Sequence, residues 1–204
     1  RQNQKNTFQI KNMNKKIISF IFFSQFLLGQ AFNGMTIFSP IQAGGGGGGN
    51  FMTFLIDNDL DVINSWNHPR GIASTAYLME DSILVFPYRV QNPTMTAGGV
   101  GGGLSKYNWA GELLWSYEFA NDTYQHHHDI EPLLNGNILV IVWERKTASE
   151  AYAVGRQSID NSLNEMWAEA ILEIEPVGTN DVNIVWEWHI WDHLIQDADS
   201  TLPN

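Results

Sequence analysis

Beyond residue 50 the chain is built from a repeated phrase: a strand-like run, a polar turn, and a second run closing on tryptophan. It reads TFLIDNDLDVINSW over 53–66, LSKYNWAGELLW over 104–115 and ILEIEPVGTNDVNIVW over 171–186. A second phrase alternates with it, LMEDSILVF over 78–86 and LLNGNILVI over 133–141. Two hairpins per repeat make a four-stranded unit, and one such unit cannot cover its own faces. Neighbouring units must therefore stack, and tryptophans at 66, 115 and 186 supply large apolar area between them. The expected fold class is all-β, a partial β-propeller of four-stranded blades over residues 32–204, with about three blades present. The longer interval before Trp186 is read as an insertion over 146–167, whose segment KTASEAYAVG (146–155) is expected to form one helical excursion.

Charge removes one class of partner. The 22 acidic residues outnumber the 11 lysines and arginines, and the net charge of −11 repels nucleic-acid phosphates. An anionic substrate must then be held by local cationic donors. The chain has no cysteine, so disulfides and thiolate metal sites are excluded. The six glycines at 44–49 read as a loop between strands 35–38 and 51–56; they lack the Lys-Ser/Thr that defines a phosphate-binding P-loop. AGGVGGG over 97–103 sits among hairpins rather than in the βαβ context that a dinucleotide loop requires. The acidic turn Asp57–Asp61 has Val62 where an EF-hand loop needs Gly, and is read as a hairpin turn.

The amino-terminal stretch has a different character. Residues 1–12 are polar, precede the first methionine and read as a non-native upstream extension. From Met13 two lysines, an apolar stretch from Ile17 to Leu28 and small residues at Gly29 and Ala31 form a secretory signal pattern over 13–31. Its apolar run is broken by Ser19, Ser24 and Gln25 and is shorter than the ~20 residues of a membrane span. The expectation is export to a periplasmic or extracellular space after cleavage near Ala31, with no stable membrane anchor.

Chemistry concentrates in YQHHHDIEPLLNGNILVIVWE, residues 124–144. Asn135-Gly136 between two hydrophobic runs signals a hairpin through a type I′ turn. The run 138–143 is apolar at every position and is expected to be covered on both faces. In an extended strand alternate side chains share a face, which puts His126 with His128 and His127 with Asp129. On that reading the three histidines do not converge, and Asp129 orients His127. Imidazole suits a nucleophile or proton carrier near neutral pH. A second set lies in WEWHIWDHL, where His193 beside Asp192 is the candidate for the pocket and His189 is read as packing. Arg145 and Arg156 are the cationic candidates for an anionic substrate, since the guanidinium fork matches tetrahedral oxyanions. No motif completes a metal site around His126 and His128, and none calls for a cofactor.

The segments NPTMTAGGVGGGLSKYNWAGELLWSYEF (92–119), HHDIEPLLNGNILVIVWE (127–144) and IVWEWHIWDHLIQD (184–197) resemble the arylsulfotransferase family of exported β-propeller proteins. The likeness runs from about Thr36 to Asp197. It implies a six-bladed propeller and a PAPS-independent aryl-sulfate sulfotransferase. Such an enzyme moves a sulfuryl group from a phenolic sulfate donor to a phenol acceptor through a sulfohistidine intermediate. The family motif places its histidine pair at His127 and His128, with His193 a further catalytic candidate and Arg156, Arg145 and Asp129 candidates for holding substrate. Which histidine is the nucleophile stays open at this point. Family members continue past the WDHL segment into further blades carrying a later histidine in an Asn-Ser-Val-like context. This sequence ends at Asn204, so a fragment, inactive alone, is expected. The rival readings are a non-catalytic secreted propeller that binds a ligand or partner protein, and a quinone-dependent dehydrogenase propeller, which shares the tryptophan repeat.

Overall fold

The computed structural model of the chain describes residues 32–41, 50–195 and 201. The expected signal segment 13–31, the extension 1–12 and the glycine run 44–49 lie outside the described residues. Met35 onward forms one compact unit.

The unit is all-β, with three antiparallel meanders in chain order. The first holds β1 (Thr36–Phe38), β2 (Phe51–Ile56) and β3 (Val62–His68). The second holds β4 (Tyr77–Leu78), β5 (Leu84–Arg89), β6 (Gly102–Tyr107) and β7 (Leu113–Glu118). The third holds β8 (Tyr124–Pro132), β9 (Ile138–Thr147), β10 (Glu165–Val177) and β11 (Asp181–His189), followed by a 3₁₀ turn at Ile190–His193. Among the described residues no helix is long and apolar enough to cross a membrane.

Alternation in sequence becomes alternation in burial. In β2 Phe51, Thr53 and Leu55 are buried while Met52, Phe54 and Ile56 are half-covered. In β9 Ile138, Val140 and Val142 are fully buried but Leu139 and Ile141 only half-buried. The apolar run is thus dry on one face and partly covered on the other, less than its unbroken hydrophobicity suggests. One core cluster joins the first two sheets through Leu55, Trp66, Leu84 and Phe86. A second joins the last two through Leu104, Trp115, Val140 and Leu172. Burying an indole of 150–250 Å² contributes about 4–6 kcal/mol as an upper figure, so Trp66 and Trp115 are the principal fasteners between sheets.

The turn at Asn135-Gly136 differs from the expected type I′. Leu133 N–H donates to the Asn137 carbonyl (2.8 Å), and only Gly136 has positive φ (90°), so the loop has three residues ending in a left-handed one. The same pattern recurs at Asp57–Asp61 (Leu60, φ 68°), Met79–Ile83 (Ser82, φ 64°) and Asn108–Glu112 (Gly111, φ 84°). The insertion before Trp186 is also only partly an excursion: β9 and β10 extend into it, pairing Thr147 with Glu165. Helix α1 (Ala148–Ala153) fills the rest, started by a capping box in which Thr147 Oγ1 accepts from Glu150 N–H and Glu150 accepts from Thr147 N–H.

Candidate functional site

Strand β8 does not stay regular where it carries the histidines. His126 faces Val142 on β9, and the next paired residue, Ile130, faces Val140. Three residues, 127–129, therefore bulge opposite one. His128 takes φ +53°, a left-handed conformation that is uncommon outside glycine. The bulge cancels the alternation on which His127 and His128 would point apart. Instead their Nδ1 atoms lie 2.7 Å from each other with the rings near perpendicular.

His127 is buried, stacked on Trp143 at 4.2 Å, and its Nε2 lies 2.8 Å from Glu169 Oε2 on β10. An ionised carboxylate only accepts, so the network assigns the Nε2 proton to His127. Burial lowers the pKa of His127, a fall opposed by Glu169, which favours a neutral ring. Its Nδ1 is then an acceptor, and the partner atom, His128 Nδ1, must carry the proton it receives. In a neutral His128 the other ring nitrogen, Nε2, is then the unprotonated one, and the residue is exposed. Glu169, His127 and His128 thus form one hydrogen-bonded chain whose outer member is exposed.

The glycine run explains how the rings are held. His128 N–H donates to the Gly99 carbonyl (2.7 Å), and Gly101 N–H donates to the His126 carbonyl (3.1 Å). A Cβ on Gly99 would lie 2.4 Å from His128 Nε2, and one on Gly101 would lie 2.6 Å from His126 Nδ1. No side chain fits there, so AGGVGGG forms a bare backbone floor against the histidines. His126 is the buried member. Its Nδ1 accepts from Gly102 N–H (3.0 Å), its Nε2 has no partner, and burial pushes its pKa down to about 3. It is a neutral wall of the site.

The other expected residues fall into different surroundings. Asp129 does not orient His127; it accepts from Tyr77 Oη and Ser74 Oγ, each at 3.3 Å, while Glu169 takes the orienting position. The cause is again the bulge, which turns Asp129 away from the face it would share with His127 in a flat strand. Arg145 donates from both Nη atoms and faces a carboxylate with its Nε. Nη2 donates to the Thr94 carbonyl (2.9 Å), Nη1 to the Asp122 carbonyl (3.2 Å), and Nε lies 3.1 Å from Glu165 Oε2 without hydrogen-bond alignment. It ties β9 to β10 and the 92–95 loop. Arg156 borders a cavity of about 540 Å³ lined also by Met166, Trp191 and Leu194, and its Nε donates to the Ser158 carbonyl. His193 stacks on Trp188 at 5.1 Å, and His189 pairs with Glu144 at 3.1 Å. Arg156 and His193 have no contact with the β8 histidines. Among the described residues no group of three or more His, Asp or Glu is placed to hold a metal ion.

Glu169 was invisible as a site residue in sequence. It is one of several glutamates in EMWAEAILEIEPV, and nothing local separates it from Glu165 or Glu173. The missing signal is the register of β10 on β9, which sets Glu169 opposite Trp143 and so beside the ring stacked on that indole. No protein-family model matches the chain, and no curated protein matches it.

Proposed function

We propose that this chain is part of an exported β-propeller of arylsulfotransferase type, in which His128 Nε2 takes a sulfuryl group from a phenolic sulfate and passes it to a phenol. The observation that carries the reading is the Glu169–His127–His128 chain, whose outer ring belongs to an exposed residue and has no hydrogen-bond partner at Nε2 among the described residues. The four-stranded meanders and the quoted motifs support it as well.

In the first step His128 Nε2 attacks sulfur; the N–S bond forms as the S–O bond to the donor breaks, and the phenolate takes a proton from water. The sulfated ring gains positive charge, which its Nδ1–H shares with neutral His127 and, beyond it, the Glu169 carboxylate. In the second step the acceptor phenol oxygen attacks sulfur, the N–S bond breaks, and the acceptor proton passes to solvent. His128 returns with its original proton. The bare glycine floor at 99–101 packs closely on one side of the ring, and Tyr77 and Ser74 around Asp129 form a polar border.

The test is transfer from p-nitrophenyl sulfate to phenol, followed by nitrophenol release and by peptide mass spectrometry for one SO₃ on His128. Release by a protein that carries this chain together with the further blades the resemblance implies, and its loss in His128→Ala of that protein, are expected. Full activity of His128→Ala, or SO₃ on another histidine, refutes the assignment. Silence across several aryl sulfates favours a ligand-binding propeller instead.

A further inference from the structure

The second and third sheets leave a cleft of about 330 Å³ between them, at the end where β4 turns into β5 and β8 into β9. Its walls are largely apolar. Met79 and Val85 stand on one side and Leu133 and Leu134 on the other, with Leu114, the residue that the β7 bulge leaves unpaired. A volume of this size is at the lower end of small-molecule sites and suits one aromatic ring with a short tail. The histidines take no part in it, since they lie toward the other end of β8.

One lysine stands in this apolar setting. Lys106 is flanked across its sheet by Val85 and Trp115, which are 1% and 3% exposed and offer it no charge. Its Nζ donates to the Gly136 carbonyl (2.9 Å), and among the described residues the ammonium has no other acceptor and no ion-pair partner. Lys146, the other lysine of the described residues, is by contrast paired with Glu144 at 2.8 Å. An ammonium carries three donors, so two of them remain for a ligand. Burial lowers the Lys106 pKa, and the Asp81 charge opposes that fall without coming within ion-pair distance.

The mouth limits what can enter. Glu80 and Asp81 border the cleft and both are exposed. Asp81 Oδ1 accepts from Ile83 N–H (3.2 Å), which holds it in its own turn rather than on the lysine. Two carboxylates at the rim disfavour a dianion. A single carboxylate reaching Nζ supplies the counter-charge that the cleft lacks, through a charge-assisted hydrogen bond.

From this we infer that the cleft binds a small apolar monocarboxylate, its carboxylate on Lys106 Nζ and its apolar body against Met79, Val85, Leu114 and Leu133. A strap between sheets through the Gly136 carbonyl accounts for one lysine donor, but not for the apolar cleft beside it. Both walls belong to sheets already joined through Leu104, Trp115, Val140 and Leu172. The inference goes beyond the sulfuryl-transfer reading and shares no residue with it.

Isothermal titration calorimetry with phenylpropionate tests it, on a protein that carries this chain together with the further blades the resemblance implies. Saturable one-to-one binding is expected. Lys106→Met, which keeps the apolar stem and removes the charge, weakens it at least about tenfold. Leu114→Trp fills the cleft from a residue that is 42% exposed, and weakens binding as well. Should Lys106→Met fail to fold, as far-ultraviolet circular dichroism checks, Leu114→Trp carries the test. His128→Ala leaves the affinity unchanged, which separates this cleft from the histidine site. Benzylmalonate, the same ring with two carboxylates, binds more weakly. No binding by the unaltered protein overturns the inference. So does an affinity that Lys106→Met or Leu114→Trp leaves unchanged, its loss in His128→Ala, or benzylmalonate bound as tightly as phenylpropionate.

Discussion

In β8 three consecutive histidines end as one buried ring and one bonded pair, whereas His189 and His193, four residues apart among tryptophans, end in separate surroundings. Both stretches are aromatic and both look chemical in sequence. The difference lies in the backbone and in the opposite strand. β8 bulges and lets His128 turn left-handed, which folds its ring onto His127, and β10 supplies Glu169 behind the pair. At the end of β11 no such fold-back occurs. His189 is claimed by Glu144 and His193 leaves the sheet in a 3₁₀ turn against Trp188. Proximity in sequence is therefore a poor guide to which imidazoles work together; a local irregularity with a carboxylate behind it is a better one.

The contrast can be broken most severely at His128. Its replacement by Ala lowers aryl-sulfate turnover by ~10³-fold or more, because the free nitrogen is the proposed nucleophile; nitrophenol release measures it. Glu169→Gln is expected to lower turnover by about 10–100-fold. An amide can donate to His127 Nε2, which reverses the tautomer chain and places the lone pair elsewhere, so the pH–rate profile shifts along with kcat. A merely structural role for Glu169 would change the melting temperature without moving that profile.

Next comes the floor. Gly99→Ala puts a methyl 2.4 Å from the His128 ring at a backbone φ of +79°, and costs about 1–2 kcal/mol in urea unfolding. A matched Gly136→Ala, at a turn with φ +90° and open space around it, separates backbone strain from ring collision.

Acid weakens the whole fold through its buried histidines. Burial holds His126 at about 3 and His68 at about 4, both below the unfolded value near 6.5. Between those values the unfolded chain binds protons that the folded chain refuses. Their contribution is complete above about pH 6.5 and falls as pH drops toward 4, by at most about 2.7 kcal/mol per pH unit for the two together. Urea midpoints at pH 7, 6 and 5 measure the slope, and a flat profile would refute the burial of both rings. At the small end, His193→Ala changes turnover less than about twofold, since its ring stacks on Trp188 and makes no hydrogen bond to the β8 histidines. A large loss there would move the site toward the 3₁₀ turn and undo the contrast between the two stretches.

Much of the sheet framework could be read from residue order. The alternation in 51–56, the turn residues at 57–61, 108–112 and 133–137, and the helix start at Thr147 with Glu150 each express a local preference. The strand that carries the histidines was legible for the same reason. What escaped was the detail of pairing. Asn-Gly marks a hairpin, but a two-residue or a three-residue loop depends on which residues across it pair, here Leu133 with Asn137. The flat-strand reading of 126–129 failed because a bulge is a mismatch between two strands, and one strand alone does not contain it.

What residue order by itself determined was the all-β class, the place of Trp66, Trp115 and Trp186 in the last strands of their sheets, and the existence of a glycine run and a histidine cluster. These follow from periodicity and turn chemistry, which act over a few residues. Tertiary structure alone decided that AGGVGGG lies beneath the rings, that Glu169 rather than Asp129 stands behind His127, and that Trp115 is covered while Trp186 is not. Each of those outcomes depends on the register and stacking of strands distant in the chain, and such long-range fits are settled only when the sheets close on one another.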